Sequence, residues 1–162
     1  MASENLSALP THTLPNGDSM RIAVVVSRWN EKITFRLRDA CIQTLMDSKV
    51  RAENIFLEHV PGSFELPLAA QWMIQKFNPD AVICLGCIIK GDTYHFELVA
   101  NAVSSGIMSL NTLGKTPVVM GVLADYNEQQ SLDRSGGSKG NKGVEAAFTA
   151  LQMIELGRRI KD

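Results

Sequence analysis

The chain lacks a long hydrophobic run. Its longest, Ala81 to Ile89, is far too short to span a bilayer, which takes about 20 apolar residues. It also lacks an excess of charge: 16 Lys and Arg stand against 17 Asp and Glu, a net charge of -1. Such a balance gives no general attraction to nucleic acid or to an anionic membrane, although a local basic site stays open. Cysteine is scarce, and its three copies are an odd number that suits no disulfide framework. The opening Met-Ala-Ser-Glu-Asn has neither a basic nor an apolar leader segment. There is no repeat, low-complexity tract or internal linker. With 45% hydrophobic and 20% charged residues, the expectation is a folded, soluble, cytoplasmic chain that needs no metal or redox cofactor site built from cysteines.

What is present is an alternation. Residues 1–19 are polar and carry Pro10 and Pro15, and they read as an arm preceding a single domain over 20–162. Met20 to Val26, Asn54 to Val60, Ala81 to Ile89 and Pro117 to Leu123 read as strands. Helical patterns fill Glu31 to Ser48, Leu66 to Phe77, Tyr94 to Leu113 and Asn127 to Arg134, and a final helix follows from Val144. Asn78-Pro79-Asp80 stops the second of these helices, and Gly114 reads as the C′ residue after the third. Gly136 to Gly143 reads as a glycine-rich turn. The strands are apolar on both faces, as a parallel sheet covered by helices requires. The predicted class is α/β: a doubly wound, four-stranded parallel sheet in three flavodoxin-like layers.

The helix from Tyr94 is apolar nearly all round, with Glu97 its one charge between His95 and Gly114. A helix of this kind must be covered on more than one side. In a domain this small, another subunit is the expected cover.

Ligands of open parallel sheets bind beyond the carboxyl ends of the strands. The loops there are Ser27-Arg28-Trp29-Asn30, Val60 to Glu65, Lys90-Gly91-Asp92-Thr93 and Ala124-Asp125-Tyr126-Asn127. Gly91-Asp92-Thr93 opens a helix and is either an anion site or an ordinary cap by Asp92 or Thr93. The segment from Arg134 through Lys139 and Lys142 to Gly143 is basic and glycine-rich, either a phosphate cradle or a solvated turn; its spacing is not that of a P-loop. His95 beside the first of these is a better acid or base candidate than His12 in the arm, and His59 reads as structural. Glu65 begins a helix and either complements its dipole or binds. Trp29 either stacks on a flat heterocycle or packs under a loop. Cys84 and Cys87 lie in one strand on opposite faces, so they are read as buried residues, with no redox or zinc role.

Ser27-Arg28-Trp29-Asn30, Val60-Pro61-Gly62-Ser63-Phe64-Glu65-Leu66-Pro67, Gly86 through Glu97 and Gly140-Asn141-Lys142-Gly143-Val144-Glu145-Ala146-Ala147 resemble, in this order and spacing, the lumazine synthase family. The resemblance runs from about Met20 to the C-terminus. It implies condensation of 5-amino-6-ribitylamino-2,4-pyrimidinedione with 3,4-dihydroxy-2-butanone 4-phosphate. The products are 6,7-dimethyl-8-ribityllumazine, phosphate and water, and no cofactor or metal is used. Trp29 matches the aromatic stacked on the pyrimidine, Ser63 and Glu65 the ribityl ligands, and Ile88 and Ile89 the backbone at the pyrimidine edge. Gly91, Asp92 and Thr93 match the phosphate loop, Arg134 the phosphate clamp and His95 the proton shuttle. Phe64, Met120 and Lys142 complete the implied substrate-binding set.

The resemblance also implies a homopentamer with active sites between neighbours and the apolar helix on the five-fold axis. The arm, at Thr11 to Leu14, would pair with a neighbour's sheet. The short turn before the last helix points to a sixty-subunit icosahedral shell. Five positions depart from the family's usual pattern: Met120 stands for phenylalanine, Ser138 for the first lysine of the glycine-rich turn (with Lys139 one residue later as a candidate ligand), Ala124-Asp125 for a Thr-Thr pair, and Trp29 for the commoner phenylalanine. The last suggests affinity for riboflavin or lumazine. A flavodoxin-like carrier would need a phosphate loop after the first strand, and a phospho-receiver an acidic pair there; Ser27 to Glu31 is neither. The remaining alternative is a non-catalytic flavin-binding or shell-forming homologue.

Overall fold

The computed structural model describes residues 14–114 and 116–161. The expected arm pairing at Thr11 to Leu14 therefore falls, apart from Leu14, outside the described residues, as does His12. Among the described residues, four parallel strands form the main sheet: β1 (Ile22–Ser27), β2 (Ile55–Val60), β3 (Ala81–Ile89) and β4 (Val118–Asp125), in the order β2-β1-β3-β4. The helices between and after them are α1 (Glu31–Asp47), α2 (Leu66–Phe77), α3 (His95–Leu113), α4 (Glu128–Asp133) and α5 (Lys142–Lys161). This is the doubly wound α/β fold expected from the alternation.

The sequence pattern explains the layers. All six residues of the central strand β1 are buried, because helices cover both of its faces. Ile22, Val24 and Val26 point to one face and meet Ile33, Leu37, Cys41 and Leu45 of α1 and Leu151 and Ile154 of α5. Ala23 and Val25 point to the other and meet Leu66, Ala70 and Met73 of α2 and Val103 and Ile107 of α3. Each large side chain buried this way stabilises the fold by about 1.5–3 kcal/mol at most. Cys84 falls in the second layer and Cys87 in the first, so the two thiols face opposite sides of the sheet as the strand period requires.

Several boundaries differ from the sequence reading. Strand β4 runs on to Asp125, because Ala124 and Asp125 pair with Ile88 and Ile89. Gly114 is not left-handed: it is extended (φ -102, ψ 176) while its N–H donates to the Leu110 carbonyl at 3.0 Å. The left-handed helix ends are instead at Lys49 (φ 69), just past α1, and Asn78 (φ 44), which closes α2. The glycine-rich turn contains a short antiparallel ribbon, β5 (Ser135–Gly137) with β6 (Gly140–Asn141), and Lys142 and Gly143 already belong to α5. Before β1, the Gly17 N–H donates to the Ser48 carbonyl at 2.7 Å and Asp18 pairs with Arg51 at 2.7 Å, which ties the end of the polar segment to the domain.

Helix α3 buries Val103 and Ile107 against the sheet and leaves Leu98 and Met108 exposed. Among the described residues, no helix is long and apolar enough to cross a membrane.

Candidate active site

The strand order reverses between β1 and β3, so the crevice at a switch point opens beyond the carboxyl ends of these strands. Beyond Ser27 the loop stays beside the one that leaves β2: the Trp29 N–H donates to the Pro61 carbonyl at 3.0 Å and the Arg28 N–H to the Val60 carbonyl at 2.9 Å. Asn30 then adopts a left-handed conformation (φ 60, ψ 42), which asparagine tolerates better than most residues. Its carbonyl accepts from Ile33 N at 2.8 Å and starts α1, while its side-chain amide donates to the Cys87 carbonyl at 3.0 Å. This bend leaves the Trp29 ring 66% exposed at the rim.

The β2 loop supplies the neighbouring wall. Ser63 to Glu65 form one 3-10 turn, and α2 follows with Pro67 in its first turn, where a missing N–H costs little. The Glu65 carboxylate accepts from the Gly62 N–H at 3.0 Å, so its local role is to close this turn. Ser63 is buried, and its hydroxyl lies 3.5 Å from the Cys87 carbonyl that Asn30 also reaches. Gly86 leaves the room for it: a methyl group there would meet the Ser63 hydroxyl at 2.5 Å. Phe64 is exposed on the outer side of the same turn.

From β3, half-buried Ile88 and Ile89 lead to Gly91, Asp92 and Thr93, all exposed. Neither Asp92 nor Thr93 occupies the cap position of α3, which is Tyr94, and the Tyr94 side chain makes no cap hydrogen bond. A cap by Asp92 or Thr93 is thereby removed, and the first turn of α3 opens with exposed His95. A clasp closes this loop. Lys90, before it, pairs with Glu97, after it, at 3.0 Å, and the ammonium packs over the Tyr126 ring at 5.5 Å. A hydrogen bond and the charge from Lys90 hold the Glu97 carboxyl below its usual range, and Glu97 in turn raises Lys90.

The other candidates lie on the β4 side of the domain. Arg134 follows α4; its N–H donates to the Ser131 carbonyl at 3.2 Å and its carbonyl accepts from Lys142 N at 2.8 Å. Its side chain lines a pocket of about 310 Å³ with Asp125, Tyr126, Gln130, Asp133 and Lys139. Lys139, the departure in the turn, thus shares the Arg134 pocket. Lys142 does not: its ammonium pairs with Glu145 at 2.9 Å and it lines a second groove, of about 530 Å³. That groove runs between α3 and α5 along the edge strand β4, with Met108, Met120, Phe148 and Met153 in its wall. Met120 pairs with Cys84 in mid-strand, four residues before the Ala124 that pairs with Ile88, or about 13 Å below the rim. A single chain therefore brings Trp29, Ser63, Phe64, Glu65, Ile88, Ile89, Gly91, Asp92, Thr93 and His95 to one edge, sets the Arg134 pocket beside it at the end of β4, and leaves Met120 and Lys142 on the groove along β4. Among the described residues, no three His, Cys, Asp or Glu side chains are grouped to hold a metal ion.

Sequence reasoning missed the Asn30 anchor, the Lys90–Glu97 clasp and a chain from Cys87 through Ser131 to Asp125. Asn30, Lys90, Glu97 and Cys87 all fall within the quoted motifs, but nothing in those motifs says which of these residues bond to one another, and Ser131 lies outside them.

A doubly wound α/β domain with loops from three strands converging at its switch point belongs to the ligand-binding class of open sheets. The family profile described as 6,7-dimethyl-8-ribityllumazine synthase matches residues 19–158. A protein of that name from Flavobacterium johnsoniae is 48% identical over 158 residues, covering 96% of this chain and 83% of the relative. Another from Cytophaga hutchinsonii is 46% identical over 153 residues, covering 94% of this chain and 96% of the relative. A third, from Porphyromonas gingivalis, is 43% identical over 157 residues, or 97% and 98% of the two chains. This chain belongs to the lumazine synthase family.

Proposed function

We propose that the protein is a transferase of riboflavin biosynthesis that joins 5-amino-6-ribitylamino-2,4-pyrimidinedione to 3,4-dihydroxy-2-butanone 4-phosphate and releases 6,7-dimethyl-8-ribityllumazine, phosphate and water. The observation that carries this reading is the gathering, in a chain of this family, of an exposed aromatic, the Ser63–Glu65 turn and a helix start with an exposed histidine at one sheet edge. Trp29 offers an open ring face to the pyrimidine. Ser63 and Glu65 face the ribityl hydroxyls with Phe64 beside them, and the backbone of Ile88 and Ile89 meets the pyrimidine edge. The N–H groups around Gly91, Asp92 and Thr93 hold phosphate. His95 moves the proton off the 5-amino group as the imine forms, and later the proton lost as phosphate leaves. Holding two substrates together supplies much of the rate. The non-catalytic alternative is not favoured, since the relatives carry the enzyme's name.

The site is shared between subunits of a homopentamer. Arg134 from a neighbour clamps the phosphate bidentately, and the neighbour's Met120 and Lys142 close the pyrimidine side. The separation of Met120 and Lys142 from the rim of their own chain supports this, as does the exposed face of α3, which would line the five-fold axis. Residues 1–19 act as an arm reaching a neighbour, tied to their own domain at Gly17 and Asp18. Pentamers build an icosahedral shell in the cytoplasm.

Mixed assembly tests the shared site. His95→Ala and Arg134→Ala chains, each of low activity, are unfolded and refolded together. Random pairing leaves about a quarter of the interfaces with both residues intact, so activity should return toward a quarter of the wild-type value. Recovery no greater than the average of the separate variants contradicts a site built from two chains.

A further inference from the structure

Helix α4 has only six residues, Glu128–Asp133, too few to hold its shape by its own hydrogen bonds. Its start is held by the Asn127 cap on Gln130 N and by Gln130, which accepts from Tyr126 N; its body is tied to the sheet by a chain of side-chain bonds across three elements. The Cys87 thiol, on β3, donates to the Ser131 hydroxyl, in α4, at 3.4 Å; that hydroxyl donates to the Asp125 carboxylate, at the end of β4, at 2.7 Å. Ser131 is fully buried and Cys87 nearly so. The direction is consistent throughout, thiol to hydroxyl to carboxylate. Burial pushes the Cys87 thiol up to about 11, which keeps it a donor at neutral pH.

Arg134 sits directly on this arrangement. Its N–H donates to the carbonyl of Ser131, the residue the carboxylate holds, and its own carbonyl is held by Lys142 N. Asp125 and Arg134 line the same pocket. Asp125 is also where the chain departs from the family's usual threonine.

We propose that Asp125 and Ser131 are positioning residues for the phosphate: their hydrogen bond clamps α4 to the ends of β3 and β4 and so sets where the Arg134 guanidinium stands. This rests on the reading of Arg134 as the phosphate clamp. It has a consequence that charge alone would reverse. A carboxylate in a phosphate pocket repels phosphate, so on electrostatics any neutral residue at 125 should tighten binding. On positioning, what matters is whether residue 125 still accepts a hydrogen bond.

The test is steady-state kinetics of the assembled full-length protein, varying each substrate in turn, for Asp125→Ala, Asp125→Asn, Ser131→Ala and Arg134→Ala. Loss of one hydrogen bond to a charged acceptor corresponds to about a tenfold change. Asp125→Ala and Ser131→Ala are expected to raise KM for the butanone phosphate, and the inhibition constant of inorganic phosphate, by about that factor. KM for the pyrimidinedione should stay unchanged. Asp125→Asn, whose amide oxygen still accepts from Ser131, should restore wild-type values. A merely structural defect would lower kcat and leave this split unseen. If Arg134→Ala raises the phosphate constants while Asp125→Ala leaves them flat or lowers them, the positioning role is overturned and the clamp stands. If Arg134→Ala itself changes nothing, both readings fall.

Discussion

The ring of Trp29 lies directly over the α-carbon of Gly62. A methyl group at Gly62 would meet Trp29 Cε3 at 2.5 Å and Cζ3 at 2.7 Å, closer than van der Waals contact allows. The backbone of Gly62 is extended (φ -124), so what the position needs is space, not glycine's conformational freedom. One face of the indole is therefore backed by main chain and the other is left for a ligand.

Gly62→Ala should push the ring off its seat and crowd the Glu65 carboxylate, 3.2 Å from the added methyl, so both effects fall on the pyrimidinedione side of the site. Overpacking at a contact of this kind costs about 1–3 kcal/mol, which here would be taken from pyrimidine stacking. The expected result is a rise of about tenfold in KM for the pyrimidinedione, with KM for the butanone phosphate unchanged. Equal KM values for wild type and variant would show that the Trp29 face is not the pyrimidine platform.

The three cysteines should be inert in the native protein. Cys41 and Cys84 are fully buried and pushed up to about 12, and Cys87 to about 11, all by loss of hydration of the thiolate. Because only the thiolate reacts, iodoacetamide at about pH 8 should leave the folded chain unmodified. In guanidinium all three should be alkylated, as read by intact mass. Rapid native labelling of any one would contradict the closed packing around the sheet.

His59 should give stability a pH dependence. Its imidazole lies edge-on to Phe35 at 5.7 Å and 3.5 Å from an Arg38 nitrogen. Burial first, then the charges of Arg38 and Arg28, hold it below the ordinary value of 6.5. As pH falls through 6.5 the unfolded chain takes up this proton before the folded chain does, so stability drops down to the folded value and rises again with pH. His59→Gln should flatten this part of the melting-temperature profile between about pH 5 and pH 7.5. Parallel profiles for wild type and variant would remove His59 as the source.

The fold was legible because the signals were long and local. Ala81–Ile89 is the observed β3 without adjustment, and Leu66–Phe77 the observed α2, one a run with no polar face and the other bounded by Pro67 and Asn78. Left-handed backbone was less legible. A C′ glycine is commonly left-handed, yet Gly114 is extended; at helix ends Asn30, Lys49 and Asn78 take that conformation, at a modest cost that tertiary contacts offset, while Gly136 and Gly140 supply positive φ in the glycine-rich turn. The rim was readable as a set of loops, but how they are fastened was not. The bond from Asn30 to Cys87 spans 57 positions and that from Cys87 to Ser131 spans 44, and no sequence period links residues so far apart. Lys139 and Lys142 are alike in sequence; only the β5–β6 ribbon turns one toward the Arg134 pocket and starts α5 at the other.

The most direct test of the whole account is turnover. Purified protein is mixed with 5-amino-6-ribitylamino-2,4-pyrimidinedione and 3,4-dihydroxy-2-butanone 4-phosphate, and lumazine absorbance is followed above the uncatalysed rate, with His95→Ala alongside. The account predicts rapid lumazine formation, slowed by about a hundredfold at most in the variant, because proximity carries the remainder. Full activity in His95→Ala would reduce His95 to a bystander at the phosphate loop, and no lumazine above background from the assembled wild-type protein would contradict the synthase itself.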